Sequence, residues 1–183
     1  MQKFRLCVAM AVALLPAASS LAAQPTPYAG QQAREIKALS EQEVSDYLAG
    51  KGMGLAKAAE LNGYPGPAHV LELASELRLN AEQRKKTGGL FKEMQAKAIT
   101  AGRALVDEEK ALDRLFASKA VTVSSLRDAL KRIADLQARV RLIHLETHLA
   151  QVVILSPEQI AKYSELRGYA KSGPHKSRDH GTH

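Results

Sequence analysis

Tryptophan is absent from this chain, and aromatic residues make up only 4% of it. That argues against a thick core built on large rings; the abundant Ala and Leu suit helices packed on one another. The only cysteine is Cys7. It lies within an N-terminal segment that reads as a removable signal, so the mature chain is expected to have neither a disulfide nor a thiolate nucleophile. No basic run is interleaved with aromatics, which argues against nucleic-acid binding. Nor is there a nucleophile with its base, a phosphate-cradling loop or a poised carboxylate pair, so the chain does not read as an enzyme. No strand pattern of any length appears.

One apolar run stands out, Leu6 to Leu15. At about ten residues it is too short to span a bilayer, but behind Lys3 and Arg5 it fits the core of a signal peptide. Ser20 and Ala22 supply the small residues for cleavage after Ala22. No second run follows, so the mature protein is expected to be exported and soluble, with no transmembrane span. The net charge of +7 falls to +5 once Lys3 and Arg5 are gone. This balance favours acidic or unfolded partners and anionic surfaces.

What is present is a set of helix starts. Leu79-Asn80-Ala81-Glu82-Gln83 and Leu155-Ser156-Pro157-Glu158-Gln159 share one chemistry. Asn80 and Ser156 stand at N-cap, and Gln83 and Gln159 at N3 close a capping box. Pro157 falls at N1, where a missing N–H costs nothing, and Leu155 can staple onto Ile160. Ser40 with Glu43 forms a further box, opening a helix that should end at Gly50. A second short helix is expected over 55–62, ended by Gly63. A third, from Pro67, should carry His69 to Leu77. Residues 24–33, with Pro25 and Pro27, are expected to lack regular structure.

Apolar residues Leu90, Met94, Ala98, Ala101, Leu105, Leu112 and Leu115 predict one long helix from Ala81 to Ser118, roughly 55 Å long at 1.5 Å per residue. Gly88-Gly89 predicts a bend near its start. Leu126, Leu130, Ile133, Leu136, Val140 and Ile143 predict a second long helix over residues 123 to about 154, which Thr122 can cap. The short link requires an antiparallel hairpin. The expectation is an all-α fold: a long antiparallel helical hairpin with short flanking helices, pairing as an antiparallel homodimer because a lone hairpin buries little surface. The divisions are 1–22 signal, 23–66 arm, 67–170 helical domain and 171–183 polar tail.

Two Leu-(Thr/Ser/Asn)-x-x-Gln phrases, each opening a helix in a small exported all-helical chain, resemble the LTxxQ motif of the Spy/CpxP family. The resemblance covers about residues 67–168. It implies a cradle-like helical dimer in the periplasm, acting as an ATP-independent chaperone for unfolded envelope proteins or as an accessory in envelope-stress or metal-resistance systems. Among its implied partners are a sensor kinase or other regulatory protein.

The chaperone reading requires no cofactor. It points to the cations of the long helices, Lys85, Lys86, Lys92, Lys97 and Arg103 on the first and Arg127, Lys131, Arg132, Arg139 and Arg141 on the second. The alternative is a periplasmic sensor or resistance protein binding zinc, nickel, cobalt or copper. His144 and His148 are spaced i, i+4, so both imidazoles can reach one ion. At about 100° per residue, His144 and His148 fall near 0° and 40° and continue the inward stripe with Leu130 near 40° and Ile133 near 340°, whereas Glu146 near 200° points away. His69, Glu72 and Glu76 form a candidate second half-site on one helix face. Compared with metal-sensing relatives, Leu73 stands where a second His would complete the pair with His69. His175, His180 and His183 in the tail can capture metal loosely.

Overall fold

The computed structural model describes residues 26–169. The expected signal segment with Cys7 and the tail with its three histidines lie outside the described residues. The chain divides into two compact units, residues 1–32 and 33–183. In the first, the backbone turns twice, Ala29 N–H donating to Thr26 O at 2.9 Å and Gln31 N–H to Tyr28 O at 3.0 Å. A short 3-10 turn, Gln31–Ala33, stands where no regular structure was expected. Pro25 and Pro27 restrict only the residues next to them, and the turn lies beyond their reach.

The second unit holds α1 (Glu41–Leu48), α2 (Lys57–Glu60), α3 (Pro67–Glu72), α4 (Ala81–Ala117), α5 (Val123–Ile154) and α6 (Pro157–Leu166). No strand occurs among the described residues, and the fold is all-α as expected. Four capping boxes open these helices: Ser40/Glu43, Asn80/Gln83, Thr122/Ser125 and Ser156/Gln159. α1 ends in a Schellman turn. Lys51 N–H reaches Asp46 O at 2.9 Å and Gly50 N–H reaches Tyr47 O at 3.1 Å, with Gly50 at φ +65°.

α4 and α5 lie antiparallel, since Arg132 pairs with Glu108 at 2.9 Å while Gln151, further along α5, bonds Thr87, earlier on α4, at 3.2 Å. Their core takes Met94, Ala98, Ala101 and Leu105 from α4 and Ala129, Ile133 and Val140 from α5. Full burial of one such large side chain contributes roughly 1.5–3 kcal/mol. α4 continues unbroken through Gly88-Gly89. A Cβ at either glycine would meet nothing within 4 Å, so they are weak helix formers that no neighbour requires. At Gly102 the opposite holds: a Cβ there would collide with the carbonyl of Tyr47, because α1 docks its last turn directly on the α4 backbone.

Leu130 departs from the expected inward stripe. It is 48% exposed, while Ala129 is buried. The packed arc of α5 is centred on Ile133, Val140 and Thr147, and Leu130 sits at its margin. A second difference concerns α3, which stops at Glu72 instead of Leu77. Residues Leu73–Arg78 form turns, with Arg78 at φ +51°. The Arg84 guanidinium holds this segment, donating to Ala74 O at 3.0 Å and Leu79 O at 3.1 Å.

Around this turn lies a second apolar cluster of Val70, Ala74, Leu77, Leu79, Leu155 and Tyr163, with Leu73, Ile160 and Tyr169 packed on it. Both motif leucines, Leu79 and Leu155, are in it. The repeated phrase therefore supplies one core as well as two helix starts.

Candidate functional site

α2, α3 and the loop before them close over the middle of α4 and the later turns of α5, leaving a cavity of about 590 Å3. Its walls include His144 and His148 from α5, His69 and Glu72 from α3, Glu60 from α2, Met94 and Phe91 from α4, and Met53 from the glycine-rich loop Gly50–Gly54. The two half-sites read from the sequence are thus brought to one cavity. Glu76 is not among its lining residues. The early end of α3 puts it on an exposed turn.

His148 is the best-defined of these groups. Its Nδ1 lies 2.7 Å from Tyr64 O. A carbonyl can only accept, so Nδ1 carries the proton and Nε2 keeps its lone pair when the ring is neutral. Gly66 permits this packing, because a Cβ there would lie 3.0 Å from His148 Nε2. Glu60 stands behind. Its Oε2 is 3.7 Å from His148 Nδ1 and accepts from Gly66 N–H at 3.1 Å, and its Oε1 accepts a short hydrogen bond from the Tyr163 hydroxyl. Arg167 Nε is 3.8 Å from the same Oε1, an ion-pair distance but not a hydrogen bond. Burial first, then the Glu60 carboxylate, pushes the Tyr163 phenol up, so it stays a donor. Nothing in the composition marks Glu60 and Tyr163 as partners, since 103 positions separate them.

His144 is different. It is buried, and its Nε2 has no hydrogen-bond partner. Burial, and secondarily His148, holds its pKa below the ordinary imidazole value, so its neutral, ligand-competent form prevails near neutral pH. His69 Nδ1 is 3.0 Å from Glu72 Oε2, and the two side chains are 40% and 64% exposed. Glu146 is exposed, facing away as the helix geometry requires. Among the described residues no three His, Cys, Asp or Glu side chains are grouped so as to hold a metal ion. A site made of these residue types alone is not assembled.

The cations of the long helices fall into two sets. Lys86, Lys97, Lys131 and Arg132 pair with Glu82, Glu93, Asp135 and Glu108. Lys85, Lys92, Arg103, Arg127, Arg139 and Arg141 are exposed, and none has an acidic partner among the described residues. On the later turns of α5 the face opposite the packed one carries three exposed apolar residues beside Glu146: Leu142 is 51%, Leu149 56% and Val153 86% exposed. Spaced by seven and four residues, they form a single stripe.

Fold and site together define an all-α protein with a capped helical hairpin and a histidine-lined cavity under its short helices. No helix among the described residues is long and apolar enough to cross a membrane. In comparisons with known proteins, the chain matches no family model, no curated protein and no solved structure.

Proposed function

We propose that this chain is an exported, Spy/CpxP-like helical protein that holds unfolded envelope proteins without nucleotide. The supporting observation is the exposed stripe Leu142, Leu149 and Val153, set beside Arg139 and Arg141. Unpaired arginines draw an acidic or unfolded chain in by long-range attraction, and exposed apolar side chains hold it weakly. Lys85, Lys92 and Arg103 extend the same charge along α4. Arg132, tied to Glu108, contributes less. In this reading the protein works as a periplasmic homodimer, and Phe116, Val123 and Leu130, exposed near the α4–α5 link, offer a second copy an apolar surface. The test is suppression of aggregation of a denatured client by the purified mature chain, with salt varied. Suppression should weaken as salt rises and fall with Arg139→Glu, Arg141→Glu and Val153→Asp. No suppression at any salt would end this reading.

A second reading is metal binding at the cavity, as in a periplasmic metal sensor or resistance protein. It is favoured by the unpartnered His144 Nε2 and by the His148 Nδ1–H···O=C bond, the arrangement by which outer-shell carbonyls orient ligand imidazoles. Stoichiometric binding of a transition metal, lost in the His144→Ala/His148→Ala double variant, is the expected result. Binding accounted for by the tail alone would remove it.

A further inference from the structure

The cavity's donors divide by what they already hold. Its carboxylates are engaged: Glu60 accepts from Tyr163 and Gly66, and Glu72 is held by His69. The donors left over are neutral and include soft ones. They include the unpartnered His144 imidazole, His148 Nε2 and the two lining methionines, Met94, which is buried, and Met53. Met53 carries a further mark. It sits at φ +43° between Gly52 and Gly54, a left-handed conformation that a long side chain adopts at a cost. The loop it interrupts lies on His144, since a Cβ at Gly52 would be 3.9 Å from His144 Nδ1. A strained residue at a cavity wall points to function.

We propose that this cavity binds Cu(I), through the Met53 and Met94 thioethers and the His144 imidazole. The proposal rests on the metal reading and narrows it. Thioether and imidazole donors select Cu(I), whereas carboxylate-rich sets suit harder divalent ions. A neutral donor set built on the buried His144 and Met94 also favours a singly charged ion, because desolvating a double charge costs far more. The engaged Glu60 carboxylate supplies a nearby negative charge without itself being a ligand.

The experiment uses the full chain with His175, His180 and His183 changed to Asn, titrated anaerobically with Cu(I) against bathocuproine disulfonate, and in parallel with Zn(II) against a chromophoric chelator. One Cu(I) per chain is expected. Met53→Leu, Met94→Leu and His144→Leu should each weaken it at least about tenfold, the scale seen when even outer-shell partners of a metal are removed. X-ray absorption should show copper–sulfur scattering that the Met53→Leu/Met94→Leu double variant loses. Met→Leu conserves volume, and circular dichroism melts confirm that each variant is folded. Equal Cu(I) affinity in the methionine variants overturns the proposal. If Cu(I) binding does not depend on the methionines while Zn(II) binding depends on His144 and His148, the soft-ion proposal falls and the wider metal reading stands. Binding of neither ion removes both.

Discussion

The carboxamides of Gln83 and Gln159 hydrogen-bond each other in both directions. Gln83 Nε2 donates to Gln159 Oε1 at 2.8 Å, and Gln159 Nε2 donates to Gln83 Oε1 at 3.1 Å. Each oxygen also accepts from its own N-cap, Asn80 N–H at 3.1 Å and Ser156 N–H at 2.9 Å. Each nitrogen also donates to a backbone carbonyl, Gln83 to Ile154 O at the end of α5 and Gln159 to Leu77 O in the turn after α3, both at 3.0 Å. Two capping boxes 76 positions apart are thereby one polar unit, with both amides fully used.

Breaking this unit should cost more than an ordinary cap, for which about 1 kcal/mol is typical. Gln83→Ala or Gln159→Ala leaves the partner amide and a backbone carbonyl without their bonds, and about 1–3 kcal/mol is expected for each. Urea denaturation of both singles and the double variant checks it. The double should lose clearly less than the two singles combined. Strict additivity would mean the boxes act separately.

The glycines of α4 should answer oppositely to Ala. Gly88→Ala adds a methyl to open space and should stabilise by about 0.5–1 kcal/mol. Gly102→Ala drives a methyl into the Tyr47 carbonyl, so α1 must shift or detach, and about 1–3 kcal/mol should be lost to overpacking. Thermal melts of both variants decide it; a stabilised Gly102→Ala protein would contradict the close docking of α1.

His144 should give the protein an acid limb. Its folded pKa lies below the ordinary 6.5 because burial, then His148, disfavours the charged ring. The unfolded chain takes up a proton that the folded one refuses. Stability linked to His144 is thus complete above about pH 6.5 and is lost as pH falls from there through the depressed folded value. Melting temperatures between pH 7.5 and 5 should decline, and His144→Leu should flatten the decline. An unchanged slope in that variant would assign the effect elsewhere.

Glu109 should act in the other direction. It is buried on α4, no hydrogen bond or ion pair reaches its carboxylate among the described residues, and desolvation pushes its pKa up from 4.5. The folded state holds this proton more tightly, so its contribution is full below pH 4.5 and is lost as pH rises through the folded value. Glu109→Gln should therefore raise the melting temperature at pH 7, with the advantage shrinking toward pH 4. An advantage that does not change with pH would point to packing as its origin.

The helices were readable because each is written locally. Asn80, Thr122 and Ser156 declare N-termini within four residues, and the hydrophobic period declares the packed face. The same local logic overran at α3. The pattern from His69 to Leu77 continues in sequence, but the Arg84 side chain, well beyond it, takes up the Ala74 carbonyl and favours a turn. Of the candidate site, His144, His148, His69 and Glu72 were identified from spacing. Glu60 and Met53 were not, because a single Glu in a four-residue helix and a Met in a glycine loop have no periodicity to betray them. They become significant only through what they touch.

Leu130 and His148 show where sequence alone stops. Eighteen positions apart, at about 100° each they occupy the same angle on α5. The sequence determined that angle for both, along with the helices, their caps and the hairpin, because these follow from backbone geometry and nearest-neighbour chemistry. Only the tertiary structure decided that Leu130 is 48% exposed while His148 is 9% exposed. The segment from Glu60 to Gly66 folds back over one end of α5, offering His148 the Tyr64 carbonyl and closing the cavity. At the other end α4 buries Ala129 and Ile133 but leaves Leu130 half exposed. That choice depends on where a loop nearly ninety residues upstream comes to rest, a long-range contact that no local pattern encodes.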